Sequence, residues 1–210
     1  MNTHIVYCHP SEDSLTARVR DAFLEGLKAA GHSHTISDLY KDGFSTDMTE
    51  QEYLRDAYYT LEPPFAEDVI REQSLIQGAD ALVFIYPVFW TEAPAKLKGW
   101  FDRVWRYGFA YGQDVALDAG LMPMKRLDLA LFIAIAGHSA EALEEQGRLG
   151  AMRNVMLGDR IYDRAAKKEL VVLGETERSD PDLRGRMAEQ HLKTVYDLGV
   201  DLERTKERAR

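Results

Sequence analysis

Three short stretches carry the residue types that can do chemistry. After an apolar opening run stands His9-Pro10-Ser11-Glu12-Asp13-Ser14-Leu15-Thr16. Hydroxyls at Ser11, Ser14 and Thr16, placed where a helix begins and its first N–H groups are free, suit a phosphate, whose charge the helix dipole favours. Ordinary capping by Ser14 accounts for the same residues equally well. Further along, Pro87-Val88-Phe89-Trp90-Thr91-Glu92-Ala93 sets two aromatic side chains among free backbone N–H groups, between a strand and a helix. Such a loop offers a surface to a flat, heteroatom-rich ring, and an isoalloxazine has that character. The third stretch, Ala136-Gly137-His138-Ser139, follows another long apolar run. An imidazole and main-chain N–H groups there could meet developing negative charge. The plainer reading of His138 is a helix-capping residue that points to solvent.

Other chemistries find less support. Gly137-His138-Ser139-Ala140-Glu141 almost spells the G-x-S-x-G of a hydrolase elbow, with Asp180 and His191 downstream in the matching order, but Glu141 stands where the second glycine belongs. A Ser139 nucleophile is therefore only a remote alternative. No G-x-G-x-x-G follows the first strand, and there is no G-x-x-x-x-G-K-[ST]. Neither H-E-x-x-H nor a cysteine pair is present, and His32-x-His34 reads as incidental, so no metal is expected.

Length and composition bound what must position these loops. At 210 residues and 45% hydrophobic content the chain is expected to form one domain spanning residues 1–210. No apolar run reaches the ~18 residues of a membrane span, and Met1 to Cys8 lacks the pattern of a signal peptide. A cytoplasmic location is the expectation. The single cysteine, Cys8, fits a reducing compartment and reads as a buried structural thiol. A net charge of −9 argues against nucleic acid as a partner, so an anionic ligand would have to be held locally.

The order of elements follows from the patterning. A strand over His4–Cys8 leads into a helix from Ser14 to Ala30, with Leu15, Val19, Phe23 and Leu27 on one face and Gly31 closing it. A second strand covers Ser33–Asp38. The polar segment from Thr46 to Pro64 holds a short helix and reads as a lid, an interface or a solvated surface. An amphipathic helix follows over Phe65–Gln77, then a doubly buried strand over Ala81–Tyr86, stopped by Pro87. Pro94 opens a helix whose stripe is Leu97, Trp100, Phe101, Val104 and Trp105. Gly108 to Met124 reads as loop and Leu127–Ala136 as a fourth strand. A helix interrupted by Gly147 and Gly150 spans Glu141–Leu157, a fifth strand spans Leu170–Leu173, and a terminal helix runs from Pro181 to about Arg208. Five strands alternating with helices predict an α/β chain: a flavodoxin-like, doubly wound, five-stranded parallel sheet with helices on both faces.

Across residues 1 to 137 the motifs also resemble a family. His9-Pro-x-x-x-Ser14-Leu15-Thr16 and Asp38-Leu39-Tyr40 precede the specific run Tyr86-Pro-x-x-Trp90-x-x-x-Pro94-Ala-x-Leu97-Lys98-Gly99-Trp100-x-Asp102-Arg103-Val104, which closes on Gly108-Phe109-Ala110-Tyr111. The combination is similar to the flavin-dependent NAD(P)H:quinone reductases of the DT-diaphorase and modulator-of-drug-activity group. That resemblance implies a homodimer with the flavin near the subunit interface, hydride donation by NAD(P)H and a quinone-like acceptor, with FAD favoured over FMN. It places His9, Leu15 and Thr16 at the phosphates, beside the hydroxyls of Ser11 and Ser14. Pro87, Val88, Phe89, Trp90 and Thr91 would line the isoalloxazine, and Ala136, Gly137 and His138 its pyrimidine edge. His138 and Tyr111 are the candidate catalytic side chains. Where the family has Thr-Thr-Gly-Gly this chain has Ile135-Ala136-Gly137-His138, and the tyrosine and histidine that follow in the family have no evident counterpart. The alternative function is a flavodoxin-fold regulatory or binding subunit that senses redox state for a partner protein.

Overall fold

A computed structural model describes residues 1–177 and 179–205. Strands β1 (Asn2–Tyr7), β2 (Ser33–Asp38), β3 (Ala81–Pro87), β4 (Leu127–Ile135) and β5 (Ala165–Leu173) form one parallel sheet in the order β2-β1-β3-β4-β5. The helices are α1 (Leu15–Ala29), α2 (Glu50–Ala57), α3 (Glu67–Gly78), α4 (Ala95–Val104), α5 (Gln113–Asp118), α6 (Ala140–Glu145), α7 (Arg148–Arg153), α8 (Pro181–Val200) and α9 (Leu202–Thr205). A π-helical stretch, Asn154–Ile161, continues directly from α7.

Alternation along the central strands divides the core in two. Ile5, Tyr7, Val83, Ile85 and Leu131 face Val19, Phe23 and Leu27 of α1 and Val195 of α8. Val6, Phe84, Tyr86 and Phe132 face Leu97, Trp100, Phe101 and Val104 of α4. On that second side Phe84 stacks on Phe132 at 4.5 Å and meets Trp100 edge-on at 5.7 Å. On the first side α1 and α8 touch backbone to backbone. A Cβ on Gly26 would lie 2.2 Å from the Tyr196 carbonyl oxygen, and one on Gly199 would lie 2.6 Å from that of Phe23.

Several elements depart from the sequence expectation. β3 stops at Pro87 as expected but includes it as its last member, opposite Ile135; its missing N–H costs nothing there because the next bond runs from Val88 N to Ile135 O. Trp105 falls just past α4 as its cap, with its indole N–H donating to Arg160 O at 2.6 Å. The expected loop over 108–124 contains α5. β5 begins five residues earlier than its apolar patch, because an edge strand tolerates Lys167, Lys168 and Glu169. Of the two glycines in the 141–157 helix only Gly147 breaks it, and the rest winds on as π-helix to Ile161. α8 stops at Val200, and the expected end at Arg208 lies outside the described residues.

Candidate functional site

The loops after β1, β3 and β4 leave the carboxyl ends of three adjacent strands. That edge is where open parallel sheets bind ligands, and the β1/β3 boundary is where the strand order reverses. In the first loop His9 Nδ1 accepts the Ser11 N–H at 3.0 Å, and the Ser14 hydroxyl donates to Ser11 O at 2.9 Å. Ser14 Oγ also caps α1 by accepting the Ala17 N–H at 3.0 Å. The first helical bond runs from Arg18 N to Ser14 O, so the N–H groups of Leu15 and Thr16 have no intrahelical acceptor. Capping thus occupies Ser14, and two amides remain for an anion. Thr16 itself is buried, whereas Ser11 is exposed.

The second loop is a tight hairpin. Phe89 and Glu92 exchange two main-chain bonds of 2.9 and 3.0 Å, which leaves Trp90 and Thr91 at the tip with φ of 52° and 69°. Successive left-handed residues are usually glycine or asparagine, and a β-branched threonine there stores strain that its surroundings must enforce. Here the enforcement is visible. The Glu92 carboxylate accepts the Ala93 N–H at 2.8 Å and the Arg160 guanidinium at 3.2 Å. Arg160 comes from the π-helical stretch, is 7% exposed, and lies 4.7 Å over the Phe101 ring. At the tip Trp90 is 99% exposed.

Between this hairpin and the third loop lies a cavity of about 360 Å³, lined by Val88, Trp90, Thr91, Ala136, Gly137 and His138. Leu143, Arg148 and Glu177 complete its wall, and none of these three was singled out from sequence. Glu177 follows the end of β5 at the same sheet edge, which is the signal that could have found it. Pro87 and Phe89 frame the cavity from the strand end and the hairpin base without lining it. Ser139, the remote nucleophile, caps α6 by accepting the Ala142 N–H at 3.1 Å, while His191 Nε2 bonds Gly174 O at 2.7 Å.

Two further residues of note lie apart from the cavity. Tyr111 sits beyond the far end of α4, its ring 5.6 Å from that of Tyr107. Burial, reinforced by Asp56, pushes its hydroxyl up to about 12. Cys8 is fully buried at the end of β1, and burial pushes its thiol up to about 12 as well, so it is an inert core residue. Among the described residues no group of three or more His, Cys, Asp or Glu side chains is placed to hold a metal ion. None of the described helices is long and apolar enough to cross a membrane.

Residues 1–159 match the family model described as flavodoxin-like fold. Ribosyldihydronicotinamide dehydrogenase [quinone] of Pongo abelii is 32% identical over 162 residues, covering 71% of this chain and 69% of that protein. The ribosyldihydronicotinamide dehydrogenase-like protein traD of Penicillium crustosum is 32% identical over 124 residues, covering 53% of this chain and 46% of that protein. This chain therefore spans a little over two thirds of the first relative and under half of the second. The solved NAD(P)H:quinone oxidoreductase from Methanothermobacter marburgensis superposes with a TM-score of 0.85 at 39% identity, covering 97% of this chain and 96% of that one. On sequence and fold together, the chain belongs to the flavodoxin-like fold family, in the branch of the NAD(P)H:quinone reductases.

Proposed function

We propose that this chain is a flavoprotein oxidoreductase that passes hydride from NAD(P)H, by way of a bound flavin, to a quinone or similar small acceptor. One observation carries the reading: the cavity beyond β3 and β4 lies one strand away from the free helix-start amides beyond β1. A slot for a flat ring and a place for a phosphate are thus neighbours. The residues present fit such a group. Gly137 leaves room for the Glu177 side chain at the cavity wall, which a Cβ would meet at 2.5 Å, and the strained tip of the hairpin presents Trp90 and Thr91 at the same wall.

When bound, the flavin supplies the two-electron chemistry itself. The chain binds and orients. His9, Ser11, Ser14, Leu15 and Thr16 form the phosphate end, with the helix dipole favouring the charge. Pro87 to Thr91 form the ring end, held in place by the Glu92–Arg160 pair. His138 and the main-chain N–H groups beside it supply donors at the edge where negative charge develops, and donors already oriented cost no rearrangement during reaction.

A homodimer and a single domain over residues 1–210 are parts of this reading. Tyr58, Tyr59, Leu117 and Met122 are 72%, 66%, 60% and 78% exposed on α2, α5 and their flanks, an apolar surface suited to a second copy. Tyr111 is linked to that surface through Tyr107 and Tyr59, so a part for it in the chemistry would run across a subunit contact. Of the two flavins FAD is favoured over FMN.

The test is direct. Purified protein is expected to show a flavin absorbance spectrum and to oxidise NADH or NADPH rapidly with menadione, and mass analysis of the released cofactor tells FAD from FMN. A bound flavin with little turnover would favour the redox-sensing subunit instead. Failure to take up either flavin on reconstitution overturns both readings.

A further inference from the structure

The loop after β5 reaches a site that the sequence assigned to the first, third and fourth strands alone. Thr176 donates twice to Ala136 O, through its N–H at 3.2 Å and its hydroxyl at 3.0 Å, and Glu175 N donates to His138 O at 3.2 Å. These bonds seat the loop on residues 136–138, with Glu175 turned into the left-handed region at φ 62°. Glu177 is thereby delivered to the cavity wall. A Cβ built on Gly137 would lie 2.5 Å from Glu177 Cδ and 2.6 Å from its Oε2, so the carboxylate fills the space that glycine leaves open. Among the described residues Arg148 and His138 are the other ionisable side chains on that wall.

The pyrimidine edge of a flavin presents an acceptor, a donor and an acceptor: C2=O, N3–H and C4=O. Main-chain N–H groups and Arg148 can serve the carbonyls, but the N3–H needs an acceptor. On the third loop the carbonyls of Ala136 and His138 already accept from Thr176 and Glu175. Arginine only donates, and an ionised carboxylate only accepts. We infer that Glu177 accepts the N3–H hydrogen bond of the bound flavin, and so fixes the ring's edge in the cavity, with Arg148 as the countercharge on the same wall. Glu177 lies beyond residue 159, where the family match ends.

The inference rests on the flavin reading above, and the experiment separates the two. Flavin-stripped protein is titrated with FAD and with 3-methyl-FAD, whose methyl group replaces the N3–H. Wild type is expected to prefer FAD by about tenfold or more, as the loss of one hydrogen bond to a charged acceptor implies. Glu177→Gln keeps an acceptor oxygen and should keep most of that preference, whereas Glu177→Leu should bind the two flavins nearly alike. An undiminished preference in Glu177→Leu overturns the proposal, whereas failure of wild type to bind either flavin overturns the reading beneath it. The charge gives a second readout that does not depend on the tightness of packing. With the carboxylate neutralised in Glu177→Gln, reduced flavin should gain about tenfold over oxidised flavin in relative affinity, a rise of ~30 mV in a two-electron midpoint potential. Arg148→Gln should move it the other way. An unmoved or lowered potential in Glu177→Gln also counts against the assignment.

Discussion

Trp90 and Trp100 stand ten positions apart in the chain, share one residue type, and sit in opposite environments. Trp90 is 99% exposed at the hairpin tip; Trp100 is fully buried, with its indole N–H donating to Glu72 Oε2 at 2.9 Å. Trp90→Ala is therefore expected to leave the melting temperature of the flavin-free protein nearly unchanged while weakening flavin retention and altering the bound spectrum. Trp100→Ala should cost ~3–5 kcal/mol, as buried tryptophan truncations do. Thermal melts of both variants, with and without flavin, would show it; a large apoprotein loss for Trp90→Ala would mean that the hairpin tip is packed and not presented. The sequence separated these two residues because Pro87 and Pro94 bracket the loop, whereas Trp100 falls on a helical stripe. It did not reveal Arg148 or Glu177. Their types are ordinary surface charges, and only the folded return of the β5 loop brings one of them against Gly137.

At the scale of elements, the contact of α1 with α8 is the most exacting joint in the sheet's packing. A methyl group on Gly26 would meet backbone atoms, the Tyr196 carbonyl at 2.2 Å and Gly199 Cα at 3.1 Å, so the helices would have to separate. Gly26→Ala gains ~1 kcal/mol of helix propensity but should lose more, since overpacking costs ~1–3 kcal/mol and relief here requires moving a helix. Gly185, also in α8, has nothing within 4 Å of the added methyl, and Gly185→Ala should stabilise by ~0.5–1 kcal/mol. Opposite signs in urea unfolding are the expectation, and equal stabilisation of both would remove the tight joint. The elements themselves were legible where period and punctuation agreed: β2 has the expected bounds, and Ser14 caps α1. They were less legible where tertiary context set the answer. The lysines of β5 are acceptable only because it is an edge strand, and α5 is a six-residue helix among glycines and prolines. The π-helical winding after Arg153 has no periodic signature of its own, yet it supplies Arg160 to the hairpin.

For the whole molecule, acid stability should be governed by carboxylates that the fold holds ionised on the α4 side of the sheet. Glu72 is 1% exposed; it accepts from Trp100 Nε1 at 2.9 Å and from the Ser37 hydroxyl at 3.0 Å, and His4 Nε2 stands 3.9 Å away. Burial alone would raise its pKa, but the His4 ring, the indole N–H and the hydroxyl outweigh burial and hold it below the usual carboxylate value. Glu52 and Asp68 are likewise held low against burial, both by Arg103, which bonds Glu52 at 2.8 Å and Asp68 at 3.0 Å. A carboxyl whose folded pKa is depressed binds fewer protons in the native state than in the unfolded one. Its stabilisation is complete above the unfolded value of ~4.3 and is lost as pH falls through the lower folded value. Glu72→Gln should therefore cost ~1.5–3 kcal/mol at neutral pH, the worth of hydrogen bonds to a charged group. That deficit relative to wild type should shrink as pH falls below ~4.3, because wild type is then losing the same charge. Urea unfolding of both proteins from pH 7 down to pH 3 measures the difference directly. A constant gap across that range would mean that Glu72 stabilises by packing alone, and a gap widening towards acid would mean that the depressed pKa has been assigned to the wrong carboxylate.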